Sequence, residues 1–331
     1  METLDTTATP PTVGRFAPSP SGRMHLGNAL SALLAWLGAR SAGGSIVMRV
    51  EDLDPRCQRP DVAQQLMEDL IWLGLDWDGD PVYQRQRTDA YEAALATLTE
   101  QGLTYPCFCT RAELHTASAP HASDGTYVYA GTCRNLTPEQ VAEKRALRAP
   151  ALRLRVPEAS DSAGFITVPD LIQPPCEQTL ATDVGDFLVR RSDGVFAYQL
   201  AVVVDDAAQG VTQVVRGRDL LGSAPRQRYL QRLLGLPEVD YAHVPLLVAP
   251  DGRRLSKRDR DLDLGALRAE GVAPEAIVGA LASAVGLLEK PEPLRPDELL
   301  GGFAWSRVRH DDVVADADFM AGLLSPRAVI G

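Results

Sequence analysis

The stretch 16–30, FAPSPSGRMHLGNAL, combines residue types that suit the binding of a phosphate. Gly22 and Gly27 lack a side chain and let a ligand approach the backbone. His25 stands immediately before a helical pattern that starts near Asn28. The free N–H groups of such a helix start, its positive dipole end and a ring N–H of the histidine would all favour a bound phosphate. We therefore predict that this stretch, here called the His25 stretch, holds the phosphates of ATP.

A second stretch, 251–259 (DGRRLSKRD), places four cationic side chains around a serine. Ser256 offers a hydroxyl, and Lys257 carries a mobile positive charge. Groups of this kind stabilise an in-line attack on phosphorus by placing charge, and the loss of one donor typically costs roughly 10²–10³ in rate. We predict that His25, Ser256 and Lys257 are catalytic. The His25 stretch and this Lys257 stretch would then meet over one ATP.

The chain around these stretches alternates between strand and helix patterns. VGRFAPS and SIVMRVED have the length and apolar content of strands, whereas NALSALLAWLGAR, DVAQQLMEDLIWLGL and TDAYEAALATLTEQG repeat apolar residues at helical spacing. Gly74 and Gly102 are expected to end the last two helices. Strand, helix, strand, helix is typical of a doubly wound α/β fold with a parallel sheet. Folds of this type bind ligands at the carboxyl ends of their strands, where the His25 stretch falls.

Changes in this pattern divide the chain. We predict a disordered tail over 1–12, the first half of a catalytic domain over 13–104, an insertion over 105–168, the second half over 169–245, and the Lys257 stretch with a mainly helical C-terminal region over 246–331. Thr137 and Gln140 are predicted to form a capping box at a helix of the insertion. The segment HVPLLVAPDGRRLSK is typical of a hairpin that turns at Asp251 and Gly252.

The predicted insertion contains three thiols: Cys107, Cys109 and Cys133. Three thiols in one small segment suit a tetrahedral zinc ion, although the Cys-x-Cys pair is tighter than the usual ligand spacing. His115 and His121 are chemically suited to be the fourth ligand. Three reduced cysteines without a metal are the alternative. We expect Cys57 and Cys176 to be ordinary thiols.

The composition of the 331 residues excludes several classes of protein. With 45% hydrophobic and 23% charged residues, the chain is ordinary for a globular enzyme. No apolar run approaches the roughly 20 residues of a membrane helix, and the start of the chain lacks the pattern of a signal peptide. Five cysteines, an odd number, argue for a reducing cytoplasm.

The net charge of −11 argues against a surface coated for nucleic acid. Cationic residues nevertheless cluster in two places, at which they could contact the phosphates of an RNA loop: Arg216, Arg218, Arg226, Arg228 and Arg232, and then Arg253, Arg254, Lys257, Arg258 and Arg260.

Five blocks of the sequence resemble the glutamyl branch of the class I aminoacyl-tRNA synthetases. The blocks are RFAPSPSG, RVEDLDPR, AYQLAVVVDD, VVRGRDLL and RRLSKRD, and they follow the order of that family from Arg15 to Asp259. PSPSGRMHLGN resembles the HIGH signature of the class, and RLSKRD resembles its KMSKS loop. The sequence departs from the family at Asn28, which replaces the second histidine of HIGH, and at Arg56, which replaces a second proline. Of KMSKS only the central Ser-Lys remains.

The resemblance implies a fold, substrates and a site. The fold is the class I synthetase α/β fold: a Rossmann-type doubly wound parallel sheet with a small zinc-binding insertion and a short, mainly helical C-terminal region. The substrates are L-glutamate and ATP with Mg²⁺. The implied glutamate-binding residues are Arg15, Phe16, Ala17, Pro18, Ser19, Glu51, Tyr198 and Arg216. The implied ATP-binding residues are Pro18, Ser21, Gly22, His25, Gly27, Asn28 and Lys257.

The resemblance also implies a role for each polar group of the glutamate pocket. The guanidinium groups of Arg15 and Arg216 would face the side-chain carboxylate, because their fork geometry matches it. Glu51, beside Ser19, would accept from the α-ammonium group, and Tyr198 would donate its hydroxyl. The alternative for each of these side chains is a structural ion pair or a core tyrosine.

The region after Lys257 is expected to be too short for the helical domains with which a bacterial glutamyl-tRNA synthetase reads the anticodon. The chain resembles instead a branch member without that domain, which binds zinc through Cys-x-Cys, a tyrosine and a cysteine four residues after the tyrosine. Tyr129 and Cys133 have that spacing. The resemblance thus implies the zinc ligands Cys107, Cys109, Tyr129 and Cys133.

That branch member activates glutamate without tRNA and transfers it to the queuosine base at the wobble position of tRNA(Asp). The resemblance therefore implies the anticodon loop of queuosine-containing tRNA(Asp) as the partner. We also expect a cytoplasmic monomer without membrane contact. The alternatives are a truncated glutamyl-tRNA synthetase that charges a 3′ end, a non-catalytic synthetase paralogue, and a small-molecule adenylyltransferase of the same superfamily. The last would leave the blocks around Arg15, Glu51 and Arg216 unexplained.

Overall fold

The computed structural model describes residues 11–116, 128–252 and 263–324. Residues 1–10, which make up most of the predicted tail, lie outside the described residues. Ser256 and Lys257 lie outside them as well, as do the other cationic residues from Arg253 to Arg260.

A parallel sheet forms the centre of the catalytic half. The strands β1 (Val13–Phe16), β2 (Ser45–Val50) and β3 (Val82–Tyr83) pair in parallel in the order β1-β2-β3. On the other side of β1 lie β9 (Gln213–Gly217) and β10 (Asp240–Val244), which pair in parallel with each other. The N–H of Thr212 donates to the carbonyl of Val13 (2.9 Å), which joins β9 to β1. The predicted α/β fold with a parallel sheet is confirmed.

The helices that cover this sheet lie where the apolar periodicity predicted them: α1 (Leu26–Ser41), α2 (Pro60–Trp72) and α3 (Thr88–Glu100). Two further helices, α7 (Tyr198–Ala208) and α8 (Ala224–Leu234), pack in the second half. Gly74 and Gly102 follow α2 and α3 with φ of +80° and +71°, a conformation that glycine adopts at little cost. The two predicted helix ends are therefore confirmed.

The segment between the two halves of the parallel sheet is antiparallel. It contains β4 (Thr104–Cys107), α4 (Arg111–Thr116), α5 (Pro138–Leu147), β5 (Ala151–Leu154), β6 (Phe165–Val168), β7 (Cys176–Thr179), α6 (Leu180–Asp183) and β8 (Phe187–Arg190). β4, β5 and β8 form one antiparallel sheet, and β6 and β7 form another. This antiparallel structure continues to Arg190, beyond residue 168, at which the sequence pattern ended the insertion. The predicted capping box is present, since Gln140 N donates to Thr137 Oγ1 (3.3 Å) and Thr137 N to Gln140 Oε1 (2.9 Å).

The C-terminal region is mainly helical, as predicted. It contains α9 (Leu264–Ala269), α10 (Pro274–Ala284) and α11 (Ala317–Leu324), with a short parallel pair formed by β11 (Leu247–Val248) and β12 (Val313–Val314). A turn is present at the predicted position, where Gly252 N donates to the carbonyl of Ala249 (2.8 Å). The returning strand of the predicted hairpin would fall within 253–262, outside the described residues. Among the helices that the structure describes, none is both long enough and apolar enough to cross a membrane.

Candidate active site

A cavity of about 520 Å³ opens where β1 and β9 end side by side. β1 leads through α1 to β2 on one side, whereas β9 leads to β10 on the other, so this is the point at which the strand order reverses. Doubly wound folds bind their ligands at such a point. Every described residue that the sequence assigned to glutamate or ATP lines this cavity: Arg15, Phe16, Ala17, Pro18, Ser19, Ser21, Gly22, His25, Gly27, Asn28, Glu51, Tyr198 and Arg216.

His25 is the N-cap residue of α1, with extended backbone angles (φ −104°, ψ 166°). Its carbonyl accepts from the N–H groups of Asn28 (2.9 Å) and Ala29 (3.1 Å), which starts the helix. A Cβ atom at position 27 would lie 3.1 Å from the His25 ring, closer than ordinary van der Waals contact. Gly27 therefore leaves room for the ring. The ring therefore stands at the positive end of the helix dipole, where an anion is favoured.

The chain returns from the Lys257 stretch directly beside His25. Asp263, the first described residue after that stretch, forms an isolated antiparallel bridge with His25. Leu264 N donates to the carbonyl of Met24 (3.0 Å), and Arg23 Nη1 lies 3.6 Å from Asp263 Oδ1. Lys257 and Ser256 precede Asp263 by only a few residues. Asp263 and Leu264, which follow the second stretch in the chain, thus lie beside the start of α1.

Arg15 is buried at the base of the cavity and uses few of its hydrogen-bond donors within the described structure. Its Nη1 donates to the carbonyl of Val215 (2.7 Å), and its Nε lies 3.8 Å from Asp206 Oδ1 without a hydrogen bond. A guanidinium has five N–H donors. Arg15 therefore has donors to spare for a ligand in the cavity.

Glu51 follows β2 and presents a nearly buried carboxylate to the same cavity. Arg49 Nη2 lies 3.4 Å from Glu51 Oε1, and Arg49 itself is held by Asp206 (2.7 Å) and Gln209 (3.0 Å). Burial raises the pKa of Glu51, although the charges of Arg49 and Arg15 oppose the rise. A buried carboxylate at this position would gain from a cationic partner, such as an ammonium group.

Arg216, on β9, differs from Arg15 because protein acceptors surround it. It donates to four acceptors: His243 Nε2 (3.0 Å), Tyr198 Oη (3.2 Å), Gln227 Oε1 (2.8 Å) and the carbonyl of Leu220 (3.2 Å). All four acceptors are uncharged when the histidine is neutral. Tyr198, the predicted glutamate ligand on α7, is therefore fixed by the arginine that shares its predicted role.

The prediction that the arginines near Arg216 contact RNA phosphates is wrong for those in the core. Arg216, Arg226 and Arg228 are only 5%, 5% and 8% exposed. Arg228 pairs with Glu238 and donates to the carbonyl of Val239 (2.7 Å). The sequence suggested surface charge here because arginine side chains are mostly exposed and are rarely buried unless they are paired.

The cavity also contains residues that the sequence patterns did not assign to it. Leu66 and Leu70 from α2, and Ala32 and Ala35 from α1, form an apolar wall, and Asp219 adds a carboxylate after β9. The apolar residues sit at helical spacing, which is also the signature of ordinary core residues. Asp219 lies inside the block VVRGRDLL, which was the available signal for it.

The three thiols of the insertion come together with Tyr129. The sulfur atoms of Cys107, Cys109 and Cys133 lie within 4.8 Å of one another, and those of Cys109 and Cys133 are 3.6 Å apart. The Tyr129 hydroxyl lies 3.5 Å from Cys107 Sγ and 3.6 Å from Cys109 Sγ. His121 lies outside the described residues, as does the side chain of His115, so neither histidine is placed relative to this cluster.

These four donor atoms have the spacing of a tetrahedral metal site. Ligands about 2.3 Å from a zinc ion lie about 3.8 Å from one another, close to the observed separations. Arg153 Nε donates to Cys107 Sγ (3.3 Å), and the Arg153 guanidinium carbon lies 3.7 Å from the centre of the Tyr129 ring. Burial alone would raise the pKa of Cys107, but the hydrogen bonds from Tyr129 and Arg153 and the Arg153 charge bring that pKa below its ordinary value. A lowered thiol pKa favours the thiolate that metals bind.

Comparison with known proteins defines the class of this chain first. The family of tRNA synthetases class I (E and Q), catalytic domain, matches residues 12–292. A glutamate tRNA ligase from Elizabethkingia meningosepticum, crystallised with its amino acid, is similar in structure, with a TM-score of 0.78 and 26% identity. That similarity covers 93% of this chain and 68% of the ligase.

Proteins of higher sequence identity define the position of the chain within this class more narrowly. A Glutamyl-Q tRNA(Asp) synthetase from Symbiobacterium thermophilum is 49% identical, over 94% of this chain and 98% of that protein. Proteins of the same name from Nitratidesulfovibrio vulgaris (46% identical; 93% of this chain, 96% of that protein) and Nocardia farcinica (48%; 95% and 95%) are similar as well. The chain therefore belongs to the class I tRNA synthetase family and, within it, to the group of Glutamyl-Q tRNA(Asp) synthetases. It is an enzyme of the ligase type.

Proposed function

We propose that the protein activates L-glutamate with ATP in the absence of tRNA and then transfers the glutamate to the queuosine base at the wobble position of tRNA(Asp). The observation that carries the first step is one cavity in which two buried arginines and the nearly buried Glu51 lie next to the start of α1. The names of the similar proteins support the second step.

Glutamate has one cationic and two anionic groups, and the cavity offers partners for them. Arg15, with donors to spare, and Arg216 face the side-chain carboxylate, while Glu51 and Ser19 receive the α-ammonium group. Tyr198 donates its hydroxyl. Phe16, Ala17 and Pro18 line the same cavity and complete the wall of the glutamate pocket.

ATP binds at the start of α1. The residues that line this part of the cavity are Pro18, Ser21, Gly22, Gly27 and Asn28. The two glycines would let a phosphate approach the backbone closely. Mg²⁺, bound with the nucleotide, would offset the charge of the phosphates.

His25, together with Ser256 and Lys257 of the Lys257 stretch, stabilises the transition state of activation. An oxygen of the α-carboxylate of glutamate attacks the α-phosphorus, an O–P bond forms, and the bond from that phosphorus to the oxygen bridging it to the β-phosphorus breaks. Pyrophosphate leaves and carries the bonding electron pair. The His25 ring N–H and the Lys257 ammonium meet the charge that develops on the phosphate oxygens, which is where such donors contribute most to rate.

In the second step a hydroxyl of the queuosine ring attacks the carbonyl carbon of the activated glutamate. The ester bond forms as the bond to AMP breaks, and the proton of the hydroxyl is lost. The substrate base stands in the anticodon loop, and bases in loops are the part of an RNA that proteins address individually.

The insertion holds one zinc ion through Cys107, Cys109, Tyr129 and Cys133. The clustering of these four donor atoms supports the proposal, as does Arg153, whose charge offsets that of a site rich in thiolates. A closed set of four ligands is typical of a structural site, so this ion would order the insertion and take no part in the reaction.

A second candidate function is the charging of a tRNA 3′ end with glutamate. The similarity to the Elizabethkingia glutamate tRNA ligase favours it, because the same pocket would serve either acceptor. A non-catalytic paralogue is disfavoured because the residues predicted to bind glutamate and ATP, as far as the structure describes them, all line one cavity. A small-molecule adenylyltransferase would leave the glutamyl-branch blocks around Arg15, Glu51 and Arg216 without an explanation.

Glutamate-dependent exchange of pyrophosphate into ATP, measured without tRNA, tests the first step. We expect exchange with glutamate and roughly fivefold to 10²-fold less with glutamine, because a neutral amide leaves a buried guanidinium unpaired at a cost of roughly 1–3 kcal/mol. Exchange no higher than that of a blank without enzyme would refute tRNA-independent activation. Equal exchange with both amino acids would refute the assignment of the pocket.

A further inference from the structure

Arg216 also contacts a buried pair formed by Asp170 and His243. β10 pairs in parallel with β9, and the register places His243 directly beside Arg216. Arg216 Nε lies 3.0 Å from His243 Nε2, and His243 Nδ1 lies 2.6 Å from Asp170 Oδ2. The side chains of His243 and Asp170 are 0% and 1% exposed. The His243 ring thus lies between the positive charge of Arg216 and the negative charge of Asp170.

The hydrogen-bond chemistry fixes the tautomer of His243. The Nε of an arginine can only donate, so His243 Nε2 accepts and carries no proton. The proton is then on Nδ1 and is donated to Asp170. A doubly protonated ring would set two N–H groups against each other at Nε2, so the ring in this arrangement is neutral.

The surroundings of His243 agree with a neutral ring. Burial lowers the pKa of His243, and the charge of Arg216 lowers it further, whereas the hydrogen bond to Asp170 opposes both. Arg15 adds a second positive charge nearby, and Tyr241 stacks on the ring with centroids 5.6 Å apart. Asp170 is itself fixed, because its Oδ1 accepts from the N–H groups of Ile172 (2.9 Å) and Gln173 (2.8 Å).

A neutral His243 leaves the charge of Arg216 without a direct counter-ion. The acceptors of Arg216 are a ring nitrogen, a phenol, an amide and a backbone carbonyl, and among the described residues no carboxylate lies within ion-pair distance of it. Arg15, in contrast, has Asp206 at 3.8 Å. The imidazole therefore anchors Arg216 while it keeps the Asp170 carboxylate one ring away.

We propose that the Asp170–His243 pair positions Arg216 and preserves its positive charge for the side-chain carboxylate of the substrate. His243 is then a positioning residue that sets the preference for glutamate over glutamine. This inference rests on the proposed function of the cavity. It adds to that function two residues that the sequence patterns did not single out.

Two variants of His243 separate its two nitrogen atoms. His243→Gln places an amide group near the position of Nε2, so it can still accept from Arg216. His243→Asn ends near the position of Nδ1, so it can reach Asp170 but leaves Arg216 Nε without its acceptor. His310→Asn, at an exposed histidine, is the matched control. Thermal unfolding of each variant checks that it is folded.

The measurement is tRNA-independent pyrophosphate exchange, with KM for glutamate, KM for ATP and the ratio of kcat/KM for glutamate to that for glutamine. For His243→Asn we expect KM for glutamate to rise about tenfold or more, and the ratio to fall by a similar factor, as for the loss of a hydrogen bond to a charged group. KM for ATP should stay unchanged. His243→Gln should recover most of both losses, and His310→Asn should match the wild type.

A folded His243→Asn with unchanged KM and unchanged preference would overturn the inference, as would equal losses in His243→Asn and His243→Gln. If His243→Asn does not fold, the tautomer of His243 in the wild-type protein decides. Nitrogen-15 NMR of the histidine rings should show the proton on Nδ1 of His243, and a proton on Nε2 would overturn the inference. A wild-type protein without glutamate-dependent exchange would refute the proposed function instead, and the NMR measurement would still test the tautomer.

Discussion

At the scale of single residues, the two arginines of the cavity differ in how many hydrogen bonds they make to the protein. Arg15 makes one hydrogen bond to the protein among the described residues, to a backbone carbonyl, whereas Arg216 makes four. Donors that the protein leaves unused are available to a ligand. We therefore propose that Arg15 makes the more direct contact with the glutamate carboxylate and that Arg216 supplies a fixed charge beside it.

Arg15→Ala should raise KM for glutamate by about 10²-fold, because truncating one partner of a buried charge pair costs about 2–5 kcal/mol. KM for ATP should change much less, since the start of α1 remains intact. Pyrophosphate exchange measures both constants. Arg40→Ala, at an arginine that pairs with Asp76 and Asp78 away from the cavity, is the control. A loss of similar size in both constants would show a collapsed site and contradict the assignment of Arg15.

Glu51 predicts a pH dependence. Burial raises its pKa, so it loses its charge at a higher pH than an ordinary glutamate does. As pH falls through that raised pKa, the ammonium group of the substrate loses its partner and KM for glutamate should rise. Glu51→Gln should show a high KM that no longer responds to pH in this range. An unchanged acid dependence in Glu51→Gln would assign the titration to another group.

The residues that line the cavity could be predicted from the sequence, because the glycines, His25 and Glu51 stand in short recognisable blocks. The partners of Arg216 could not be predicted in the same way. His243 and Asp170 are distant in the chain from Arg216. His243 meets Arg216 through the pairing of β9 with β10, and Asp170 joins them through its bridge to Tyr241 and its contact with His243. Arg226 and Arg228 were interpreted as surface charge because arginine side chains are mostly exposed.

At the scale of elements, the helices and strands of the catalytic half could be predicted because apolar periodicity and glycine at helix ends are local signals. The ion pairs that join these elements have no such signal. Asp205 on α7 is fully buried and accepts from Gln84 (2.8 Å), Arg87 (2.6 Å) and Tyr91 (2.7 Å), with Arg49 Nε at 3.9 Å. This carboxylate ties α7 to the segment before and within α3.

Asp205→Ala should lower the free energy of unfolding by about 3–5 kcal/mol, because two arginines and a tyrosine would lose a buried partner. Chemical denaturation measures the change. Asp80→Ala, at an exposed aspartate, should stay within about 0.5 kcal/mol of the wild type. A loss for Asp205→Ala as small as that for Asp80→Ala would show that the buried pairs contribute no net stability.

The zinc content of the insertion is a second testable property at this scale. Purified protein should contain about one zinc ion per chain, and Cys133→Ser should release it, because a closed site needs its four ligands. Elemental analysis of untagged protein gives the ratio. Cys176→Ser, at a thiol outside the cluster, should keep the metal. Wild-type protein without zinc would leave Cys107, Cys109 and Cys133 as reduced thiols that merely pack together.

At the scale of the whole molecule, several separate parts of the chain meet at one point. β1 with the start of α1, the end of β2 and the end of β9 bring their side chains into one cavity, and the chain re-enters beside His25 after the Lys257 stretch. The order of the parallel strands explains why this point lies between β1 and β9. The insertion interrupts the sequence between the two halves without entering the described lining of the cavity.

The transfer of glutamate to queuosine is the central claim, and the position of label on tRNA(Asp) tests it most directly. The protein is incubated with ATP, radiolabelled glutamate and tRNA(Asp) from which the 3′-terminal adenosine has been removed by enzyme. The account predicts label on this trimmed tRNA when it contains queuosine, and none when guanosine replaces queuosine. Label that requires the terminal adenosine and ignores queuosine would contradict the account and favour the charging of a tRNA 3′ end.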